Sequence, residues 1–232
     1  MVPITSPDVT NISKIISDKS RMIMLDLLMD GNAHCVSDLA KAANIKTHTA
    51  SYHLRKLAEH KIVLMEQKGR FHYYSLFNSE IAEFFEYISN FAPKIKINYL
   101  SQSEEHKKIT YFRRCYDHMA GKIGVEITDR LKAKGYIDCK DSSFILTAKG
   151  ENFFENELNI NIAKLRNEKR SFSRKCQDWS ERKPHLAGSL GKALMNHLLE
   201  NASIKIDQNS RGIEITSAGK EYLSKFFDLY FK

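Results

Sequence analysis

At 232 residues with 42% hydrophobic side chains, the chain can fill one or two ordinary domain cores, and no apolar run approaches the roughly 20 residues of a membrane span. The opening MVPITSPDVT has no basic stretch followed by an apolar one, and the four cysteines (Cys35, Cys115, Cys139, Cys176) form neither a CxxC nor a dense framework, so a cytoplasmic chain with reduced thiols is expected. A net charge of +8 favours an anionic partner, nucleic acid first.

In chain order, residues 1–11 read as a loose arm and 12–29 as a helix carrying Ile12, Ile15, Ile16, Ile23, Met24, Leu27 and Leu28. Asp18 or Ser20 is the candidate cap of its main segment, and Gly31-Asn32 ends it. Residues 36–43 predict a short helix with Val36, Leu39, Ala40 and Ala43 apolar, followed by a corner at Asn44-Ile45-Lys46. The next helix, residues 46–61, has Ala50, Leu54 and Leu57 on one apolar stripe. Thr47, His48, Ser51, Tyr52 and Arg55 fall mostly off that stripe, with short or planar hydrogen-bonding side chains suited to base edges and phosphates. Lys46, Thr49 and His53 complete the candidate contact set on this helix. Residues 62–77 alternate around Lys68-Gly69-Arg70, which predicts a β-hairpin with a basic tip, and Lys68 and Arg70 join the contact set. A helix pair alone is often an ordinary packed pair. Corner, polar helix and basic hairpin in that order point instead to a DNA-binding module with a wing.

The stretch SDLAKAANIKTHTASYHLRKLAEHKIVLMEQKGRFHYYSL resembles the winged helix-turn-helix regulators of the ArsR type. Ser51-Tyr52-His53-Leu54 is similar to the S-x-H-L of their recognition helix, and Gly69-Arg70 with Tyr73-Tyr74 to the G-R…Y of their wing. The likeness covers about the first ninety residues and implies double-stranded DNA as partner, a homodimer, and a role for residues 12–29 in the dimer. Two departures argue against that family's metal sensing. Some arsenic-sensing relatives carry C-V-C-D-L, where this chain has Cys35-Val36-Ser37-Asp38-Leu39 and so only the first thiol. The later site on the final dimer helix uses His and carboxylates, and there is no His between Asn78 and Ala92.

Charge is unevenly placed. Residues 1–92 hold ten Lys+Arg and ten Asp+Glu, so the excess of the chain's 36 basic over 28 acidic residues lies beyond them. Locally, residues 44–75 carry Lys46, Arg55, Lys56, Lys61, Lys68 and Arg70 against Glu59 and Glu66, a basic contact face sufficient for phosphates. Asn78 or Ser79 starts a helix that presents Ile81, Phe84, Phe85, Ile88 and Phe91. A small winged domain has little interior left for five such groups, so they read as a dimer seam rather than core. Residues 93–108 read as a polar linker that can be partly helical.

The remainder holds an internal repeat. Cys115-Tyr116-Asp117-His118-Met119-Ala120-Gly121 matches Cys176-Gln177-Asp178, then His185-Leu186-Ala187-Gly188. Each copy continues into a helix, a strand pair and a helix capped by Thr147 or Thr216. The copies span about 111–158 and 172–230, and the residues between, 161–183, read as a long polar basic helix. Cys, Asp and His can bind a transition metal, and a thiol beside His can sense oxidants. The plainer reading is a buried thiol, an Asp that caps the next helix and a His bonded to it. Cys115, Asp117, His118, Cys176, Asp178 and His185 are therefore the effector-sensing candidates, with no resident metal or cofactor assigned. Ala187-Gly188-Ser189-Leu190-Gly191 is similar to a nucleophile elbow, but SERKPH does not read as the strand an elbow requires.

The expected fold is mainly α with small β-hairpins. A winged helix-turn-helix occupies residues 1–92, and two winged-helix-like repeats make up 109–232. The expected function is a dimeric transcriptional repressor, not an enzyme, released by a small-molecule or redox effector sensed in the C-terminal domain, with no membrane contact. Two alternatives stand beside it: an enzyme with a Cys/Asp/His cleft targeted by a DNA-binding module, and an architectural DNA binder without effector.

Overall fold

The computed structural model describes residues 7–93, 100–207 and 210–231. They form two compact units, one through Ala82 and one from Glu83. In the first, α1 (Val9–Ile16) and α2 (Lys19–Leu28) replace the single helix expected over 12–29. The break has a local cause: Asp8 accepts from the Asn11 N–H and Asp18 from the Arg21 N–H, so each segment has its own N-cap. The expected arm through residue 11 is corrected as well, since α1 is already formed at Val9; residues 1–6 of that arm lie outside the described residues.

The short strand β1 (His34–Cys35) leads into α3 (Val36–Ala42). Asn44, left-handed at φ 51°, follows the helix, and the Ile45 N–H returns to the Ala40 carbonyl. This closure ends α3 and aims α4 (Thr47–Glu59) across it. The hairpin of β2 (Val63–Lys68) and β3 (Phe71–Leu76) turns at Gly69, φ +62°, and β1 adds to β3 as a third strand that the sequence pattern had not indicated. Met24, Leu25, Leu28, Leu39, Ala50, Leu54 and Leu57, all essentially buried, make the core.

The helix α5 (Ser79–Ser89), begun by Asn78 accepting from the Ile81 N–H, contains the division between units, which therefore falls inside this helix and not after residue 92. In the second unit, α6 (Leu100–Tyr111) shows that the latter part of the expected linker is helical; its residues 94–99 lie outside the described residues. A tight hairpin, β4 (Arg113–Cys115) and β5 (His118–Ala120), is followed by α7 (Gly121–Ala133), a second hairpin, β6 (Ile137–Lys140) and β7 (Ser143–Leu146), and α8 (Ala148–Asn152), which runs into a π-turn over Phe153–Glu157. After α9 (Ile162–Arg166), β8 (Arg174–Gln177) and β9 (Pro184–Ala187) lead to α10 (Gly188–Glu200), the hairpin β10 (Ile204–Ile206) and β11 (Ile213–Ile215), and α11 (Ser217–Phe227).

The long basic helix expected over 161–183 is thus only the short α9, and residues 174–177 are a strand. Its basic side chains offer no apolar stripe to bury as a helix, whereas β8 pairs with β7 through Ser143 and Arg174 and with β9 along its length. The small hairpins do not remain separate either: β6, β7, β8 and β9 form one four-stranded sheet, so the fold is mixed α/β with small sheets. A continuous core containing Phe112, Ile127, Leu131, Phe153, Phe154, Leu194, Leu198 and Phe227 fills the unit.

Candidate functional site

The outer face of α4 is set by what its inner face buries. Ala50, Leu54 and Leu57 are fully buried, which leaves Lys46, Thr47, His48, Ser51, Tyr52 and Arg55 in solvent. Tyr52 is half exposed, with the Arg55 guanidinium 6.0 Å from its ring centroid. Lys46 makes no side-chain cap, so the first N–H groups of α4 remain unsatisfied by a side chain at the end nearest the exposed threonine and histidine. Two members of the expected contact set are placed differently. Thr49 is half-buried, and His53 is half-buried with Nδ1 3.2 Å from Arg21 Nη1 of α2. At the hairpin tip Lys68 and Arg70 are exposed; Lys68 lies 3.6 Å from Glu66, and Arg70 stacks 5.1 Å from the Phe71 ring centroid.

The doubled element of the second unit is assembled by strand register. Cys115 pairs with His118 across β4 and β5, and Cys176 pairs with His185 across β8 and β9. Cross-strand partners project to the same face, so each hairpin presents one thiol beside one imidazole. The two presentations meet. Cys115 Sγ lies 3.9 Å from Cys176 Sγ, and His118 Nε2 lies 3.1 Å from His185 Nε2. All four side chains are buried, and one ligand atom from each falls within 4.8 Å of the others. This is the sole such cluster of His, Cys, Asp and Glu among the described residues. The repeated Ala-Gly step after each His permits the close approach. Gly121 and Gly188 have φ +76° and +80°, and a Cβ at either would meet backbone oxygen, Thr110 O at 2.8 Å and Ser171 O at 2.5 Å.

The two aspartates stand behind the histidines, not among the four converging atoms. Asp117 Oδ1 is 3.3 Å from His118 Nδ1, and Asp178 Oδ2 is 3.4 Å from His185 Nδ1. Burial alone would raise the Asp117 carboxyl, but His118 and Arg170 outweigh it and hold it at about 2. Burial likewise opposes Asp178, and His185 and Arg113 hold it well below the usual carboxylate range. The hydrogen bond to Cys176, then burial, push the Cys115 thiol well up.

Asp178 has a second task. It accepts from the Gly121 N–H at 2.7 Å, from Arg113 Nη2 at 3.0 Å, and through Oδ1 from the Ser180 and Glu181 N–H groups. Arg113 is fully buried, 4.6 Å from the Trp179 ring centroid, and also reaches Glu86, which accepts from Arg211 at 3.1 Å. Burial works against the Glu86 charge, and Arg113 with Arg211 still holds the carboxyl low. This network escaped the sequence reading; its one signal was charge inside apolar runs, Arg113-Arg114 after Phe112 and Glu86 after Phe84-Phe85.

Neither remaining motif forms a site. Cys35 donates to Asp38 Oδ2 at 2.9 Å, while His34 turns to Asp30 at 2.8 Å. A strand does precede Ser189, contrary to expectation, since Pro184 begins β9. Ser189 is nevertheless buried, with Oγ donating to the Leu165 and Phe172 carbonyls at 3.1 and 3.3 Å.

The helix-turn-helix domain family matches residues 16–66, the span from the end of α1 into β2. The chain is 42% identical over 224 residues to YdfF of Bacillus subtilis (strain 168), an uncharacterized HTH-type transcriptional regulator, covering 97% of this chain and 99% of that protein. It is 34% identical over 84 residues to the transcriptional repressor SdpR of the same organism, covering 36% of this chain and 92% of that protein. It is 33% identical over 82 residues to the arsenical resistance operon repressor of Staphylococcus xylosus, covering 35% of this chain and 74% of that protein. No described helix is long and apolar enough to cross a membrane.

Proposed function

Because the chain belongs to the winged helix-turn-helix transcriptional regulators of the ArsR type, we propose that it acts as a homodimeric repressor whose hold on DNA is governed from its C-terminal unit. The observation that carries the DNA-binding face is the exposed polar side of α4 beside a basic hairpin tip. In this reading Thr47, His48, Ser51, Tyr52 and Arg55 read base edges or neighbouring phosphates in the major groove, and Lys46, Lys68 and Arg70 hold the backbone. The uncapped N-terminus of α4 adds N–H donors for a phosphate. That SdpR and the staphylococcal protein are repressors supports the sign of regulation.

Dimerisation is assigned to α5 and the turn after it. Phe84 and Tyr87 on α5 are 42% and 61% exposed, and Phe91 just beyond the helix is 73% exposed, more apolar surface than a monomer usually leaves. The C-terminal residues 109–232 are read as two copies of one unit. The recurrence of hairpin, 13-residue helix, hairpin and Thr-capped helix supports this, as do Thr147 Oγ1 and Thr216 Oγ1 each accepting from a glycine N–H three residues on. Effector control is placed at the point where the copies meet, among Cys115, His118, Cys176 and His185.

The test is an anisotropy titration with the native operator. Tyr52→Ala and Ser51→Ala should each weaken specific binding by about 1–3 kcal/mol with the fold intact. Unchanged affinity in both variants would remove this face from the DNA.

A further inference from the structure

We propose that Cys115, His118, Cys176 and His185 bind a single tetrahedral Zn2+ ion that ties the two hairpins of the C-terminal unit together. The donor set argues for the metal class. Two thiolates with two imidazoles suit zinc in tetrahedral geometry, whereas calcium and magnesium take oxygen ligands. The distances argue for the geometry. Zn–S and Zn–N bonds of roughly 2.3 and 2.0–2.1 Å give tetrahedral edges of about 3.8 Å between sulfurs and about 3.3 Å between nitrogens. The structure has 3.9 Å between the Sγ atoms and 3.1 Å between the Nε2 atoms. Side-chain rotation of about an ångström closes the widest pair, within 4.8 Å, to the mixed edge.

The imidazole arrangement accommodates a cation at the centre. Asp117 and Asp178 face the Nδ1 atoms of His118 and His185 at 3.3 and 3.4 Å. The His118 Nδ1 is hydrogen-bonded to Asp117, while the buried His185 Nδ1 has no hydrogen-bond partner among the described residues; with both Nδ1 atoms carrying the protons, as ligation through Nε2 requires, the Nε2 lone pairs face one another across 3.1 Å. A cation between the rings satisfies both lone pairs at once, whereas in its absence an Nε2–H of one ring donates to the other. The carboxylate–histidine pairing also fixes the tautomer and ring orientation of metal-binding histidines, which makes Asp117 and Asp178 positioning residues and not ligands. Binding releases the two thiol protons to solvent, and two thiolates with neutral imidazoles leave the Zn2+ centre uncharged. Four protein donors fill a tetrahedral ion, so the site has the closed form of structural zinc, without the open position catalysis uses. His118 and His185 come from different copies of the repeat, so occupancy cross-links them. The competing occupants are a proton shared by the two histidines and a Cys115–Cys176 disulfide.

The inference deepens the regulatory reading above, resting on it for biological consequence only, and metal content is measured without DNA. The reduced full-length protein is analysed for metal as purified, stripped with a chelator, and titrated with Zn2+ and Co2+. Expected are one ion per chain and, with Co2+, tetrahedral ligand-field bands with thiolate charge transfer. Cys115→Ser with Cys176→Ser abolishes the charge-transfer band, Cys35→Ser and Cys139→Ser retain it, and Asp117→Asn weakens binding about 10–100-fold. Wild-type apoprotein that is folded by circular dichroism yet takes up no stoichiometric Co2+ overturns the proposal without recourse to any variant. So does a band that survives the double Cys115/Cys176 substitution, or a Cys115–Cys176 disulfide in freshly isolated protein. Protein that binds the ion but no operator overturns the DNA-binding reading alone.

Discussion

Tyr52 and His53 are neighbours on α4, yet the 100° step between helical residues sends one into solvent and the other against α2. Tyr52 keeps half its surface free, and Arg55 holds a cation over its ring. His53 instead meets Arg21, whose Nε donates to the Ile15 carbonyl at 2.5 Å and whose backbone N–H is bound by the Asp18 cap. The histidine of the S-x-H-L run therefore ties α4 to the α1–α2 break, and a structural role is proposed for it in place of a DNA contact. The expected outcome for His53→Ala is a loss of about 1 kcal/mol in stability of the N-terminal unit, the usual worth of one such hydrogen bond. Operator affinity, measured where the variant is fully folded, should stay within about twofold, unlike Tyr52→Ala. A His53→Ala protein of wild-type melting temperature that binds the operator tenfold worse would return this residue to the contact face.

Elements declared by their own residues were legible in the sequence: the stripe of α4, the alternating hairpin around Gly69, and the doubled Cys and His with their Ala-Gly steps. Elements decided by distant partners were not. Residues 12–29 looked continuous because their apolar positions run through Ser17, and only the Asp18 cap shows the restart. The strand β8 carries Arg174-Lys175 and gains its place from β7 and β9, neither of which a helical-period count can see. Sequence adjacency put aspartate, cysteine and histidine in one candidate group, whereas hairpin geometry brings the cysteines and histidines together and turns the carboxylates to the back. The helix α5 shows both behaviours. Phe85 is 5% exposed and belongs to a core, against the reading that placed all five large groups on a seam, while Phe84, and Phe91 just beyond the helix, stand in solvent. If that exposed side is the dimer contact, Phe84→Glu with Phe91→Glu should yield a monomer of 26.8 kDa by light scattering at micromolar concentration. Each charge would have to be buried unpaired in the interface. A double variant that remains dimeric would place the contact elsewhere.

At the scale of the whole chain, the chemistry-bearing groups segregate. The proposed DNA-contact set lies in the unit through Ala82, while the Cys/His cluster, its aspartates and the Glu86–Arg113–Asp178 network all lie in the unit from Glu83. The two units are therefore expected to unfold in separable transitions, and the chain carries its own reporter for one of them. Trp179 is its one tryptophan, stacked under Arg113 in the buried network. Glu86 supplies the carboxylate shared by Arg113 and Arg211, and it is 2% exposed, so neutralising it removes one of the two carboxylates that balance the buried Arg113. Removing one partner of a buried ion pair typically costs about 3–5 kcal/mol, more than an intact pair contributes. Glu86→Gln keeps the side-chain volume and should lower the transition followed by tryptophan fluorescence. The transition of the DNA-binding unit, followed by amide exchange of α3 and α4, should stay in place. A single transition by both probes would make the chain one cooperative block. An unmoved tryptophan transition would mean that the guanidiniums find compensation from Asp178 and solvent, and that the network does not hold this unit together.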